Sequence, residues 1–452
     1  MTGVRVGDSI IFGSAWGTPE LRAIFDEVGR TRGWLEVLAV LAETQAAFGL
    51  IPERAAARAA TACRAVAVDQ PFLDEVAAGY EASGHSFVGL LDAVAARCKG
   101  DGGEWLCFGA TVQDITDTWL MTALHRAREA IAADLAGVEA GLARLASVPR
   151  ATVMAGRTHG QVGLPITFGF KAAGWLAEVR RHRQRLDEVG TRMGIGQLSG
   201  GVGSVASMGP RGFEVQAAFL GALGLRPPDI SWTSSRDVLA EWCGLLTLIT
   251  ATADRVGHEV YTLQRPEIGE LVEGFVEGTV GSITMPHKRN PERSEHLGTL
   301  ARVVRHDSAL VTESLVHEGE RDGRSWKVEW QAIPGATLAA AKAVRLLGEL
   351  VDTLRVVPER MLVNLAAAAG AIASERVMLA LAPDVGRRTA HRLVHEAAMV
   401  GASAGISVRD AILGSAAITA ALDTARLTEI LDAPPDTGAC AAMIDRLLAG
   451  EA

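Results

Sequence analysis

The chain is poor in the residues that build β-rich, disulfide-linked or membrane-spanning proteins. Of 452 residues, 5% are aromatic, two of them Tyr. The five cysteines (Cys63, Cys98, Cys107, Cys243 and Cys440) are an odd number with no Cys-x-x-Cys pair. They read as reduced, buried thiols, not as a disulfide framework or a zinc site. No stretch reaches the roughly 18 uninterrupted apolar residues expected of a membrane span. The N-terminus lacks a basic region followed by a long apolar stretch, so no signal peptide is expected and a cytoplasmic location is. Basic charge is also short: 44 Lys and Arg face 53 Asp and Glu, for a net charge of −9. That balance argues against a nucleic-acid partner. Alternating β-branched runs hardly occur, which leaves helices to carry the fold. A Gly-Lys-Ser/Thr phosphate loop, a dinucleotide fingerprint and a ligand cluster are all missing, so neither a metal nor an organic cofactor is expected.

What is present is Ala, Leu and Val in long helical patterns. The hydrophobic fraction is 48%, and the length allows two to four domains. Residues 19–48 read as two helical pieces separated by Gly29 and Gly33. Residues 112–147, 165–195, 235–264, 293–317 and 327–356 are long stretches with few breakers, the last kinked or begun late at Pro334-Gly335. In the third, Val238, Leu239, Trp242, Leu245, Leu246, Ile249, Val256 and Val260 make one apolar stripe. A thirty-residue helix spans roughly 45 Å, too long for an ordinary globular core, which favours a bundle or an inter-subunit coil. The boundaries read as an N-terminal helical domain over 1–110, a central bundle over 111–357 and a third domain of short helices over 358–452.

One loop concentrates polar chemistry: Gly281-Ser-Ile-Thr-Met-Pro-His-Lys-Arg-Asn-Pro291. Gly281 permits backbone angles closed to other residues, and Pro286 and Pro291 discourage a helix. Lys288 offers a point charge and Asn290 two N–H donors, both suited to a carboxylate. Ser282 has no carboxylate or His beside it in sequence, so its activation falls to the loop fold or to other segments. A Gly/Pro turn with solvated basic residues has the same composition.

This loop resembles the Gly-Ser-Ser-x-Met-Pro-x-Lys-x-Asn-Pro signature of the fumarase/aspartase superfamily, with Ile283 in place of the second serine. The resemblance implies an all-α fold of three helical domains, the central one a five-helix bundle. Four bundles would make a twenty-helix core in a homotetramer whose active sites are shared between subunits. It implies that Ser282 is the catalytic base. Gly156-Arg-Thr-His-Gly160 resembles the family's Arg-Thr-His-Gly motif, which implies His159 as general acid and Thr158 as a substrate contact. Imidazole, with an unperturbed pKa of about 6.5, holds or releases a proton near neutrality. Glu295 matches a glutamate that orients an active-site histidine; a helix-surface Glu fits the same place. Gly109-Ala-Thr-Val-Gln-Asp114 resembles a carboxylate-binding region in which Thr111 matches and Val112 replaces a serine; Thr111 and Asp114 also suit a helix cap. His85, in Ser83-Gly-His-Ser86, falls where adenylosuccinate lyases carry a second histidine. His391 and His395 share a helical face without a third ligand and read as structural.

Glu320-Arg-Asp322 resembles adenylosuccinate lyases, with Arg321 a substrate contact. Those enzymes continue with Ser and Arg for the AMP phosphate, where this chain has Trp326 and Trp330. An indole cannot supply charge to a phosphate. Trp326, Glu329, Trp330, Trp232 and Pro19–Phe25 instead resemble 3-carboxy-cis,cis-muconate cycloisomerases, whose bacterial members typically carry Trp where this chain has His159. The expected activity is anti-β-elimination from a small substituted succinate to give fumarate, with an amine or nitrite as leaving group and a C–N bond broken. The alternatives are muconate cycloisomerisation, adenylosuccinate cleavage, and an inactive structural paralogue.

Overall fold

The structure, a computed structural model, describes residues 5–275, 278 and 280–450. The fold is all-α. All five long helices form: Val112–Ser147, Phe168–Met193, Asp237–Leu263, Glu292–Glu313 and Gly323–Thr353. At about 1.5 Å per residue, the 36 residues of Val112–Ser147 run some 54 Å. Gly323–Thr353 continues through Pro334, which excludes the late start, one of the two readings of Pro334-Gly335. Among the described residues the strands are short: Val153–Thr158 with Gln161–Thr167, and Leu271–Val272 with Arg355–Val356. No single described helix is long and apolar enough to cross a membrane.

The chain divides into two compact units, and the division falls within long helices. The first unit holds residues 1–138, 179–257 and 295–349. Its N-terminal part contains Pro19–Phe25 and Glu27–Ala47, and their separation differs from the expected one. The break is at Asp26, whose side chain accepts from Gly29 N–H and caps the second helix. Gly29 and Gly33 lie inside that helix. They are small because neighbours press on them: a Cβ on Gly33 would sit 2.0 Å from the Trp119 indole, and one on Gly29 2.0 Å from the Ala23 carbonyl. Farther along, three segments meet at a buried ion cluster. The Arg236 guanidinium donates to Asp117 at 2.6 and 3.0 Å and to Glu329 at 2.5 to 3.2 Å. It also lies 4.8 Å over the Trp232 ring. All three charged residues are buried. Burial pushes the Glu329 carboxyl up, against the pull of Arg236.

The second unit holds residues 139–178, 258–294 and 350–452. Val153–Thr158 and Gln161–Thr167 form an antiparallel hairpin. The sequence pattern predicts a loop and the start of a helix here; the helix begins only at Phe168. The two-residue turn is His159-Gly160, at φ +53° and +74°. Both residues therefore hold the positive φ that a tight I′-type hairpin turn requires. The C-terminal part is a cluster of short helices. Val377 and Leu381 of Ser374–Val385, Ala390 and Leu393 of Arg387–Ala404, and Leu427 of Thr424–Asp432 close its core.

Candidate active site

In the second unit, one short segment anchors both the hairpin and the signature loop. Glu270 is fully buried and accepts from both terminal nitrogens of Arg157, at 2.6 and 2.9 Å. Asn364 Nδ2 adds a third bond at 2.8 Å. Arg157 of the Arg-Thr-His-Gly motif is thus a structural anchor that fixes the strand leading to Thr158 and His159. Those two side chains are exposed at the hairpin tip. Three residues after Glu270, Glu273 caps the Glu292–Glu313 helix from a distance. Its carboxylate accepts from Arg293 N–H at 2.9 Å, Ser294 N–H at 3.1 Å and Ser294 Oγ at 2.9 Å. The orphan N–H groups of the helix start are met by a residue that lies before the loop in sequence. Arg293 also donates to the Gly274 carbonyl at 2.8 Å. The loop is therefore tied shut at its base.

Within the loop, Ser282 Oγ accepts from Met285 N–H at 3.0 Å. A donor aimed at that oxygen favours its ionised form. The Lys288 N–H in turn donates to the Met285 carbonyl at 2.9 Å. Gly281 is needed here for closeness, not for unusual angles. It lies outside the positive-φ glycines, but a Cβ on it would sit 2.5 Å from the Lys288 carbonyl. Lys288 is exposed, and Asn290 is half-buried with Nδ2 3.5 Å from Glu292 Oε1. Ile283, in place of the second family serine, is 97% exposed and packs into nothing.

The first unit holds the other expected residues. Arg321 Nε donates to Gln113 Oε1 at 2.7 Å, and Gln113 Nε2 donates to the Thr233 carbonyl at 2.8 Å. Arg321 Nη2 is buried with no partner among the described residues. Arg321 lines a cavity of about 270 Å³ with His85, Thr111, Val112, Lys327 and Trp330. A half-satisfied guanidinium beside Thr111 and Lys327 suits a carboxylate. His85 is exposed, its ring Nδ1 accepting from Phe87 N–H at 3.3 Å. Glu295 is exposed on the Glu292–Glu313 helix.

Asp114 is a structural clamp. It accepts from Thr111 N–H at 2.9 Å, so the expected cap forms, and also from Ser199 N–H at 2.8 Å and Gly200 N–H at 3.0 Å. Burial nevertheless raises its carboxyl to about 6, outweighing those three donors. Trp326 and Trp330 pack edge to face, with ring centroids 4.9 Å apart. Glu329 and Trp232, read in sequence as cycloisomerase-like, belong to the Arg236 cluster.

The comparisons with known proteins place this helical chain among lyases. Residues 15–305 match the lyase family, and residues 370–447 match the adenylosuccinate lyase C-terminus. The chain is 38% identical over 447 residues to an N-acetyl-S-(2-succino)cysteine lyase of Enterococcus italicus, covering 99% of this chain and 97% of that one. A Dickeya dadantii protein of the same name is 38% identical, with 87% and 86% covered. Among solved structures, the 3-carboxy-cis,cis-muconate lactonizing enzyme of Pseudomonas putida superposes with a TM-score of 0.86 at 29% identity, over 97% of this chain and 98% of the other. The chain belongs to the lyase family of the fumarase/aspartase superfamily. It is an enzyme.

Proposed function

We propose that this lyase eliminates a thiol from a 2-thio-substituted succinate and releases fumarate. The relatives named for S-(2-succino)cysteine chemistry, at 38% identity, favour a C–S bond over the C–N bond expected from the sequence. Amine and nitrite leaving groups become competing outcomes of the same assay. The single observation that carries the elimination is the Met285 N–H bond to Ser282 Oγ, since a base of this kind must reach its alkoxide.

In this reading Ser282 takes the Cβ proton. The electron pair passes first into the adjacent carboxylate, as an aci-carboxylate held by Lys288, Asn290 and loop N–H groups. It then closes the C=C bond as the C–S bond breaks and the sulfur leaves as thiolate. His159, with Glu295 as its orienting partner, returns a proton to the sulfur. Arg321 and Thr111 hold a carboxylate, and Thr158 and His85 complete the substrate contacts. No cofactor enters. The three-domain division at 110 and 357, the homotetramer with shared active sites and a cytoplasmic location are part of the same proposal.

The test is fumarate release, followed at 240 nm, across 2-thio-, 2-amino- and 2-nitrosuccinates, with adenylosuccinate alongside. Thio-substituted substrates are expected to lead. Adenylosuccinate is expected to be cleaved negligibly, because a phosphate dianion against Trp326 and Trp330 without partners costs several kcal/mol. Efficient cleavage of adenylosuccinate would return the chain to purine chemistry. Light scattering that finds an active monomer would remove the shared site.

A further inference from the structure

The arginine pocket does not end at the two tryptophans. Tyr80, Ser86, Val112, Trp326 and Trp330 line both it and a larger cavity of about 430 Å³. The larger one is walled by aromatic and aliphatic groups, among them Trp34, Leu73, Phe87, Leu90 and Trp119. Trp34 packs edge to face on Phe87 and Trp119, at 5.6 and 6.0 Å. Three polar atoms of residues lining this space are buried without a partner among the described residues: Trp34 Nε1, Thr116 Oγ1 and Arg30 Nε. The first and third are donors only, and a hydroxyl can donate. A buried donor left unmet costs free energy, and an acceptor that reached any of the three would recover it.

The charge of the wall narrows the acceptor. Glu27, Asp74, Asp117 and Glu329 line the cavity with Arg30 as its one described cation. Glu27 pairs with Arg30 at 2.6 Å, and Asp117 and Glu329 share Arg236. The balance stays acidic, which disfavours a second carboxylate or a phosphate. A neutral carbonyl or ether oxygen meets the donors without that repulsion.

We infer that this cavity takes the substituent on the leaving atom, and that the substituent is neutral, ring-sized or branched, and carries a carbonyl-type acceptor. The inference rests on the proposed elimination for its context. It departs from an amino-acid thiol, whose carboxylate the wall would repel.

Two measurements test it separately from the elimination. The first is kcat/KM over 2-methylthio-, 2-butylthio-, 2-benzylthio-, 2-(benzamidoethylthio)- and 2-(carboxyethylthio)succinate. From the free energy of burying a phenylalanine-sized side chain, the benzyl compound is expected to exceed the methyl one by on the order of 10²-fold. The benzamido compound is expected to exceed the carboxyethyl one by at least tenfold. The second is calorimetric binding of 2-benzylsuccinate against 2-methylsuccinate, which cannot be eliminated and so report on the cavity if no thioether is turned over. Ala77→Trp, and the gentler Ala77→Leu, fill the cavity from its helical wall. They are expected to erase the benzyl advantage in both measurements and leave the methyl compounds unchanged. A flat series, a preference for the carboxyethyl compound, or equal losses for large and small substituents would overturn the inference. If all thioethers are inert while benzylsuccinate still binds at least tenfold tighter, the elimination fails and the cavity assignment stands.

Discussion

Arg157 meets Glu270 with both terminal nitrogens, two residues before the histidine at the hairpin tip. The carboxylate is fully buried, and the Arg157 side chain is 19% exposed. Removing the cation strands a buried charge, which typically costs about 3–5 kcal/mol. Arg157→Ala is expected to lose that much stability in urea unfolding, and most of the activity through a misplaced His159. Arg157→Met with Glu270→Gln is expected to recover part of the stability. Equal losses in the single and double variants would mean that the pair is not coupled.

Ser282→Ala removes the oxygen that Met285 N–H addresses. Turnover is expected to fall by on the order of 10³ or more, with unfolding unchanged. Near-normal kcat would move the base elsewhere.

His159 carries a second prediction, because its φ of +53° is unusual for a non-glycine residue. His159→Gly is expected to raise stability by about 1 kcal/mol. His159→Asn keeps a residue that tolerates this conformation and isolates the proton. A thiol of pKa near 8.5 leaves readily as thiolate, so a loss of about tenfold is expected with thio substrates. With an amine substrate the loss is expected to approach 10³. Equal losses with both would remove the proton-donor role.

Arg321→Met removes a guanidinium that lines the smaller cavity and whose Nη2 has no partner among the described residues. A hydrogen bond to a charged group contributes about 1.5–3 kcal/mol, so KM is expected to rise 10- to 100-fold with a smaller change in kcat. A fall in kcat alone would place Arg321 outside the carboxylate site.

Asp114 supplies a pH signature. Its folded pKa of about 6 lies above the ordinary carboxylate value of 3.8, so the native state binds the proton more tightly than the unfolded chain. The associated stability is present below pH 4 and is lost as pH rises toward 6. Two pKa units correspond to on the order of 3 kcal/mol. The stability of the natural protein relative to Asp114→Asn is expected to fall by that order between pH 4 and 6. A difference that rises with pH would show that the three N–H donors outweigh burial.

The helical class and the five long helices were legible because each carries its own periodicity over more than twenty residues. The loop was legible because its residues are contiguous. The anchors were not. Arg157 and Glu270 are 113 residues apart, and Gln113 and Arg321 are 208 apart, so no local pattern joins them. The hairpin was missed because its turn is His-Gly in place of the usual Asn-Gly, and its strands contain Gly156, Gly163 and Pro165. Gly29 and Gly33 were misread as breaks because a small residue in a helix has two uses: ending it, or admitting a neighbour. Only the positions of the Ala23 carbonyl and of Trp119 separate the two.

The Arg236 cluster has a consequence for how the chain reaches its fold. Its partners lie 119 and 93 residues away, on three segments that must arrive together. With Glu329 undocked, the Asp117 pair forms but part of the guanidinium stays unmet. With either helix slipped by one turn, about 5.4 Å, a charge is buried alone. Neither partial state is well satisfied, so the cluster favours one helix register over its neighbours. Such long-range closure is slow. Replacing the cluster by well-packed apolar residues is expected to speed assembly and lose that register preference, seen as faster refolding with a larger misregistered, aggregating fraction.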